Sequence, residues 1–353
     1  MRKTLLALSL PVCIATLLCG CRTTPLPGTV SKRIGDEIVV AGQMVHTGAR
    51  VVLWMDPGGY DAYRVDRRFA PLDKAGWDSS IGENKQLSPN RYNLRKRAVL
   101  SDEDIERVRG GGWDLPTLQK AVDQFVIHYD VCGTSRQCFR ILHDMRALSV
   151  HFMLDLDGTI YQTLDVKERA WHAGNANARA VGIEIANMGA YPVGSKNPFD
   201  DWYTKDADGK TRITIPERFG DGGIRTPSFV GRPDRNDPLT GKLHDRELLQ
   251  YDFTPQQYEA LTRLTAALCR VLPEIHCDYP RDAQGRLIDR ALSDEELDSF
   301  KGVLGHFHIT SGKVDPGPAF QWDRVVGGAQ KFLNRGMSKT ADQTSRGHMR
   351  TRN

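Results

Sequence analysis

The apolar positions of the chain change period several times, and each change predicts an element. Ile38-Val39-Val40 and Val51-Val52-Leu53-Trp54 flank a Gly-containing connection and read as strands. Gln124-Phe125-Val126-Ile127-His128 predicts a buried strand ending on a polar residue, and Val181-Gly182-Ile183-Glu184-Ile185 predicts another. Phe139, Leu142, Met145 and Leu148 recur every three residues, which predicts a helix over 137–148. Asp157-Gly158 joins two apolar runs, 150–156 and 159–164, and predicts a tight hairpin. Thr254-Pro255-Gln256-Gln257 sets a capping threonine, a first-turn proline and a glutamine ahead of Tyr258, Leu261, Leu264 and Leu268, the apolar face of a further helix. Strands alternating with helices predict an α/β fold, a mixed central β-sheet flanked by helices, with a β-containing N-terminal extension.

The N-terminus sets the expected compartment. Arg2 and Lys3 precede an apolar run over 5–18 that is broken at Pro11. It is too short for a comfortable membrane span and has the layout of a secretory signal. Its end, Leu18-Cys19-Gly20-Cys21, resembles a bacterial lipoprotein signal. Small Gly20 precedes Cys21, whereas bulky Leu18 precedes Cys19, so Cys21 is the expected acylated first residue. The chain then divides into a signal (1–20), a Thr/Pro/Gly tether (21–32), the extension (33–100), a main domain (101–335) and a basic tail (336–353). Within the main domain, an insertion at about 188–252 lacks sustained periodicity; its aromatic content favours an ordered segment near the site. The expected location is the bacterial cell envelope, lipid-anchored to a membrane and facing the periplasm or outside.

Composition narrows the remaining classes. At 353 residues with 40% hydrophobic and 26% charged, the chain is an ordinary folded protein. A net charge of +4, without a basic block interleaved with aromatics, argues against nucleic acid as a partner; a monomer is expected. Apart from Cys13, Cys19 and Cys21, four cysteines remain in an exported protein, which suggests disulfides. Local pairing of Cys132 with Cys138 and Cys269 with Cys277 is the simplest of three connectivities.

The chemistry concentrates in Gly305-His306 through Lys313-Val314-Asp315-Pro316-Gly317, together with His128. Two histidines and a carboxylate can hold Zn²⁺ and leave a fourth position for water. Seven segments, in order, now resemble the zinc-dependent N-acetylmuramoyl-L-alanine amidases: the AmpD-type enzymes, phage amidases and animal peptidoglycan recognition proteins. They are Val126-Ile127-His128, Ser149-Val150-His151-Phe152, Asp157-Gly158-Thr159-Ile160-Tyr161-Gln162, Ala170-Trp171-His172-Ala173-Gly174, Val181-Gly182-Ile183-Glu184-Ile185, Gly305-His306, and the run from Lys313 to Trp322.

The resemblance implies one zinc ion on His128, His306 and Asp315. The spacing to Asp315 also brings His308 into contention, although His306 follows glycine as the family's ligand does. It implies that Lys313 stabilises the tetrahedral intermediate. Glu184 would move a proton or, alternatively, orient a ligand histidine, while Trp171, His172 and Asn177 contact substrate and His151 packs beneath the site. Val150 replaces the tyrosine of phage and animal members. The implied reaction cleaves the amide between the lactyl group of N-acetylmuramic acid and L-alanine in peptidoglycan or muropeptides. The alternative, a non-catalytic peptidoglycan-binding lipoprotein, would require substituted ligands.

Overall fold

A computed structural model describes residues 28, 30, 32–63, 68–74, 92–109 and 112–335. Cys21, the signal and the basic tail lie outside the described residues. From Ile34 onward the chain forms one compact unit. Among the described residues no helix is long and apolar enough to cross a membrane.

The strands, in chain order, are β1 (Glu37–Val40), β2 (Gln43–His46), β3 (Val51–Leu53), β4 (Tyr92–Asn93), β5 (Gln124–Tyr129), β6 (Phe152–Leu154), β7 (Ile160–Gln162), β8 (Arg169–Ala170), β9 (Ala180–Ile185), β10 (Ala190–Pro192), β11 (Tyr203–Lys205), β12 (Thr211–Ile213), β13 (Leu239–Leu243), β14 (Arg246–Gln250) and β15 (Gly302–Gly305). A six-stranded mixed sheet runs in the order β15-β5-β9-β6-β7-β3. Only β6 and β7 pair antiparallel within it, as the Asp157-Gly158 hairpin requires, with Gly158 at φ 80° in the turn. The extension supplies β3, which pairs parallel to β7 as an edge strand. β1 instead forms a hairpin with β2.

Alternation along the central strands sorts side chains between the two faces. Phe125, Ile127, Tyr129, Val181, Ile183, Ile185 and Val303 share one apolar cluster with Tyr258, Leu261, Leu264 and Leu268 of the helix Pro255–Val271. Each such buried side chain contributes about 1.5–3 kcal/mol. Val126, Ala180 and Leu304 belong to a separate cluster with Ala173, Ala176 and Leu292. His128 and Glu184, in phase with Val126 and Ala180, therefore rise from that second face.

The helix Pro255–Val271 starts where its capping box places it: Thr254 accepts from the Gln257 amide, and Gln257 accepts from the Thr254 amide. The helix expected over 137–148 differs. It begins at Ser135, because Thr134 caps the amide of Gln137, and widens into a π-helical turn over Arg140–Met145. The chain has left it by Ala147, at φ 49°.

The insertion is ordered: β10, β14 and β13 form an antiparallel sheet, β11 and β12 a hairpin, and Phe199, Trp202 and Tyr203 anchor an apolar cluster. The cysteines correct an expectation. All four are free thiols, so neither expected disulfide is formed. The expected partners are nevertheless neighbours: the sulfurs of Cys132 and Cys138 lie within 4.8 Å of each other, and Cys269 sits beside Cys277. The Cys132 thiol donates to Asp130 O at 3.0 Å and the Cys277 thiol to Val326 O at 3.7 Å.

Candidate metal centre

Three chain segments converge on one point. His128 stands near the C-terminal end of β5. Its neighbour β15 runs parallel to β5 and ends at Gly305, so the next residue, His306, emerges beside it. Asp315 arrives on the following loop, where the Phe307 amide donates to its carbonyl at 3.1 Å. His128 Nδ1 lies 3.0 Å from His306 Nδ1 and 2.9 Å from Asp315 Oδ2, and His306 Nδ1 lies 3.0 Å from the same carboxylate oxygen.

Protons can satisfy only two edges of this triangle, whereas a cation facing all three atoms satisfies every one. A tetrahedral zinc with bonds of about 2.0–2.1 Å has donor–donor edges of about 3.3 Å, close to those found. Protonation states agree as well. Burial, and then the neighbouring His306, lowers His128 to about 4, leaving a neutral imidazole. Burial works against ionising Asp315, but His306 and the hydrogen bonds from both histidines outweigh it and hold the carboxyl well below the usual range. The donor set fits Zn²⁺.

His308 is not part of this triangle. Its Nδ1 accepts the Gly305 amide at 2.9 Å and its Nε2 donates to Ile288 O at 2.8 Å, so both nitrogens are committed elsewhere.

The triangle opens into a cleft of about 330 Å³ whose lining includes Glu184, Lys313, Trp171 and His172. Glu184 pairs in register with His128 across β5 and β9. Its Oε2 is buried without a hydrogen-bond partner. Burial, then the charges of Asp315 and Asp130, raises its pKa well above the ordinary value. A carboxylate in that setting is a stronger base than one in water. Lys313 is exposed at the mouth, and no ion pair holds its ammonium among the described residues. The insertion braces its loop: His244 Nε2 donates to Lys313 O at 2.9 Å and Arg246 donates to Ser311 O at 3.0 Å. Neither contact could be read from the sequence, because β13 and β14 meet this loop only in the fold.

His172 Nδ1 lies 3.0 Å from His128 Nε2, while its own Nε2 is buried without a partner in the cleft. Gly182 makes this placement possible, because a Cβ there would come within 2.4 Å of the His172 ring. Trp171 is 41% exposed, with the Arg169 guanidinium 5.3 Å from its ring centre. Asn177 is buried, and its Oδ1 accepts the amides of His172 (3.0 Å) and Ala173 (2.6 Å). The asparagine thus shapes the loop that presents His172. His151 lies beneath, accepting the Gly182 amide at Nδ1. Cys132 and Cys138 line another part of the cleft wall.

A family model for N-acetylmuramoyl-L-alanine amidase matches residues 118–318, more than half of the chain. No curated protein matches the chain significantly. Among solved structures it is similar to a selenomethionine derivative of AmpD (17% identity, 68% of this chain and 90% of that one, TM-score 0.31). It is also similar to AmiD from E. coli, solved in complex with the substrate anhydro-N-acetylmuramic acid-L-Ala-D-gamma-Glu-L-Lys (20% identity, 59% and 57%, TM-score 0.31). A third similar structure is the Drosophila peptidoglycan recognition protein SA (16% identity, 57% and 75%, TM-score 0.27).

Proposed function

From the premise that the chain belongs to the N-acetylmuramoyl-L-alanine amidase family, we propose that it is a zinc-dependent enzyme of the cell envelope. It cuts the amide between the lactyl group of N-acetylmuramic acid and L-alanine of peptidoglycan stem peptides, in wall remodelling or turnover. The observation that carries this reading is the triangle of His128, His306 and Asp315 donor atoms, 2.9–3.0 Å apart, at the base of a cleft that also holds Glu184 and Lys313.

His128, His306 and Asp315 hold the ion. Zinc in such a site supplies Lewis acidity toward a carbonyl and lowers the pKa of water to about 7. Glu184 takes the proton of the attacking water and returns it to the departing L-alanine amine. Its burial makes it basic enough for the first transfer and acidic enough for the second. Lys313, free at the mouth, closes on the oxygen that gains charge as the carbonyl becomes tetrahedral. Trp171 offers an exposed aromatic face to sugar or peptide, and the His172 ring lines the cleft beside it. Acylation of Cys21 keeps the monomeric catalyst at a membrane, within reach of a polymer that cannot diffuse to it.

The test is digestion of defined muropeptides and purified sacculi by zinc-loaded, chelator-stripped and Asp315→Ala protein, with products identified by mass spectrometry. The expected product is a stem peptide with a free L-alanine amine, released by the loaded protein alone. Its absence from the loaded reaction, or equal release by all three proteins, overturns the reading.

A further inference from the structure

The extension contributes one side chain with no role in the scheme above. Arg95 is completely buried, and it lies outside the stretch matched to the family. Its guanidinium forms no ion pair among the described residues, and backbone carbonyls receive its hydrogen bonds. Nε and Nη2 donate to Val166 O at 3.1 and 3.0 Å. Nη1 donates to Asn177 O, Ala178 O and Ala180 O at 3.3, 3.3 and 3.0 Å. Burying an unpaired cation is costly, so this arrangement is not explained as packing.

What the guanidinium joins is informative. Val166 and residues 177–180 are the two ends of the loop that carries Trp171 and His172. Just upstream of Arg95, the pairing of Tyr92 with Ala170 ties the same loop to the extension. Within the loop, Asn177 holds the His172 amide, and His172 Nδ1 meets His128 Nε2 at 3.0 Å. From below, His151 accepts the Gly182 amide at Nδ1, so its Nε2 carries the proton and donates to Glu168 O at 2.9 Å. Arg95 Nη2 packs 2.9 Å from that same nitrogen.

We propose that Arg95 is a positioning residue of the active site: it clamps both ends of the 166–180 loop so that His172 fixes the ring of the metal ligand His128. This makes the extension a working part of the catalytic unit. The inference rests on the zinc reading for the role of His128, but its structural half does not.

The experiment uses the mature chain and two readouts. Zinc affinity is measured by competition with a chelating dye for wild type, Arg95→Lys, His172→Gln and the double variant. A lysine has one donor head and cannot span both loop ends. Each single change is expected to weaken zinc by roughly tenfold to a hundredfold, the range for partners that orient ligands. The double variant is expected to be no weaker than the worse single. Losses that multiply would show independent effects and overturn the proposal.

Amide exchange is followed on the metal-free proteins. Arg95→Lys is expected to speed exchange over 170–180 while the helix Pro255–Val271 keeps its protection; unchanged exchange in the loop overturns the clamp. Should Arg95→Lys fail to fold, Asn177→Ala cuts the next link and is expected to weaken zinc likewise, with unchanged affinity counting against the proposal. A wild type that binds no zinc would overturn the zinc reading, and the exchange result would still decide the role of Arg95.

Discussion

Glu184 stands directly across from His128 in the parallel pairing of β5 and β9, and both side chains line the same cleft. One oxygen of the Glu184 carboxyl, Oε2, is buried without a hydrogen-bond partner, which costs stability and which the fold tolerates here beside the proposed metal ligand His128. Glu184→Gln keeps shape and hydrogen-bonding capacity but cannot carry the proton. The expected result is kcat lower by about 10²–10⁴-fold with zinc content unchanged. Steady-state kinetics beside metal analysis check it. A variant that loses zinc together with activity would instead assign Glu184 to orienting the ligands.

Lys313 differs from Glu184 in being exposed and unpaired, so its removal should leave the fold untouched. Lys313→Met is expected to lower kcat by about 10²–10³-fold, the cost of one lost oxyanion stabiliser, with an unchanged melting temperature. A variant retaining more than half of wild-type kcat would remove Lys313 from the chemistry.

The site was more legible in the sequence than the frame that supports it. His128 could be placed because it ends a short apolar run that carries β-branched residues, and Glu184 because a carboxylate mid-strand is hard to explain as packing. The Thr254–Gln257 box marked its helix for a local reason: both partners lie within one turn. Arg95 gave no such signal, since its meaning depends on carbonyls 71–85 residues away. β3 read as a strand, but its place at the sheet edge follows from pairing with β7, over a hundred residues later. His306 and His308 are separated only by the backbone turn over His306–Ile309, which directs the first toward His128 and the second toward Ile288.

His151 offers a pH test away from the proposed metal ligands. Burial, and then the neighbouring Arg95, lowers its pKa from 6.5 to about 3. The unfolded chain therefore binds this proton first. The stability His151 contributes is complete above about pH 6.5 and is lost as pH falls toward about 3, at up to about 1.4 kcal/mol per pH unit. In His151→Gln, an amide can accept from Gly182 and donate to Glu168 without titrating. The stability difference between wild type and variant should therefore shift in the variant's favour by about 1.4 kcal/mol per unit between pH 5.5 and 4. Urea unfolding across that range measures it, and a difference independent of pH contradicts the assignment.

The four thiols, free in the structure, stand as two neighbouring pairs that an oxidant can test. Cys132 neighbours Cys138, with sulfurs within 4.8 Å, and Cys269 neighbours Cys277. Oxidation would close loops of about seven and nine residues, each restricting the unfolded chain by about 2–3 kcal/mol. After oxidation in vitro the protein is expected to show no titratable thiol among these four and a melting temperature several degrees above that of the reduced form. Cys138→Ser should leave Cys132 titratable and remove about half of the gain. Because Cys132 and Cys138 also line the cleft, closing that pair should slow amide exchange over the helix Ser135–Phe139, whereas closing the other should not. Four reactive thiols after that oxidation would show that the sulfurs of each pair are not placed to bond.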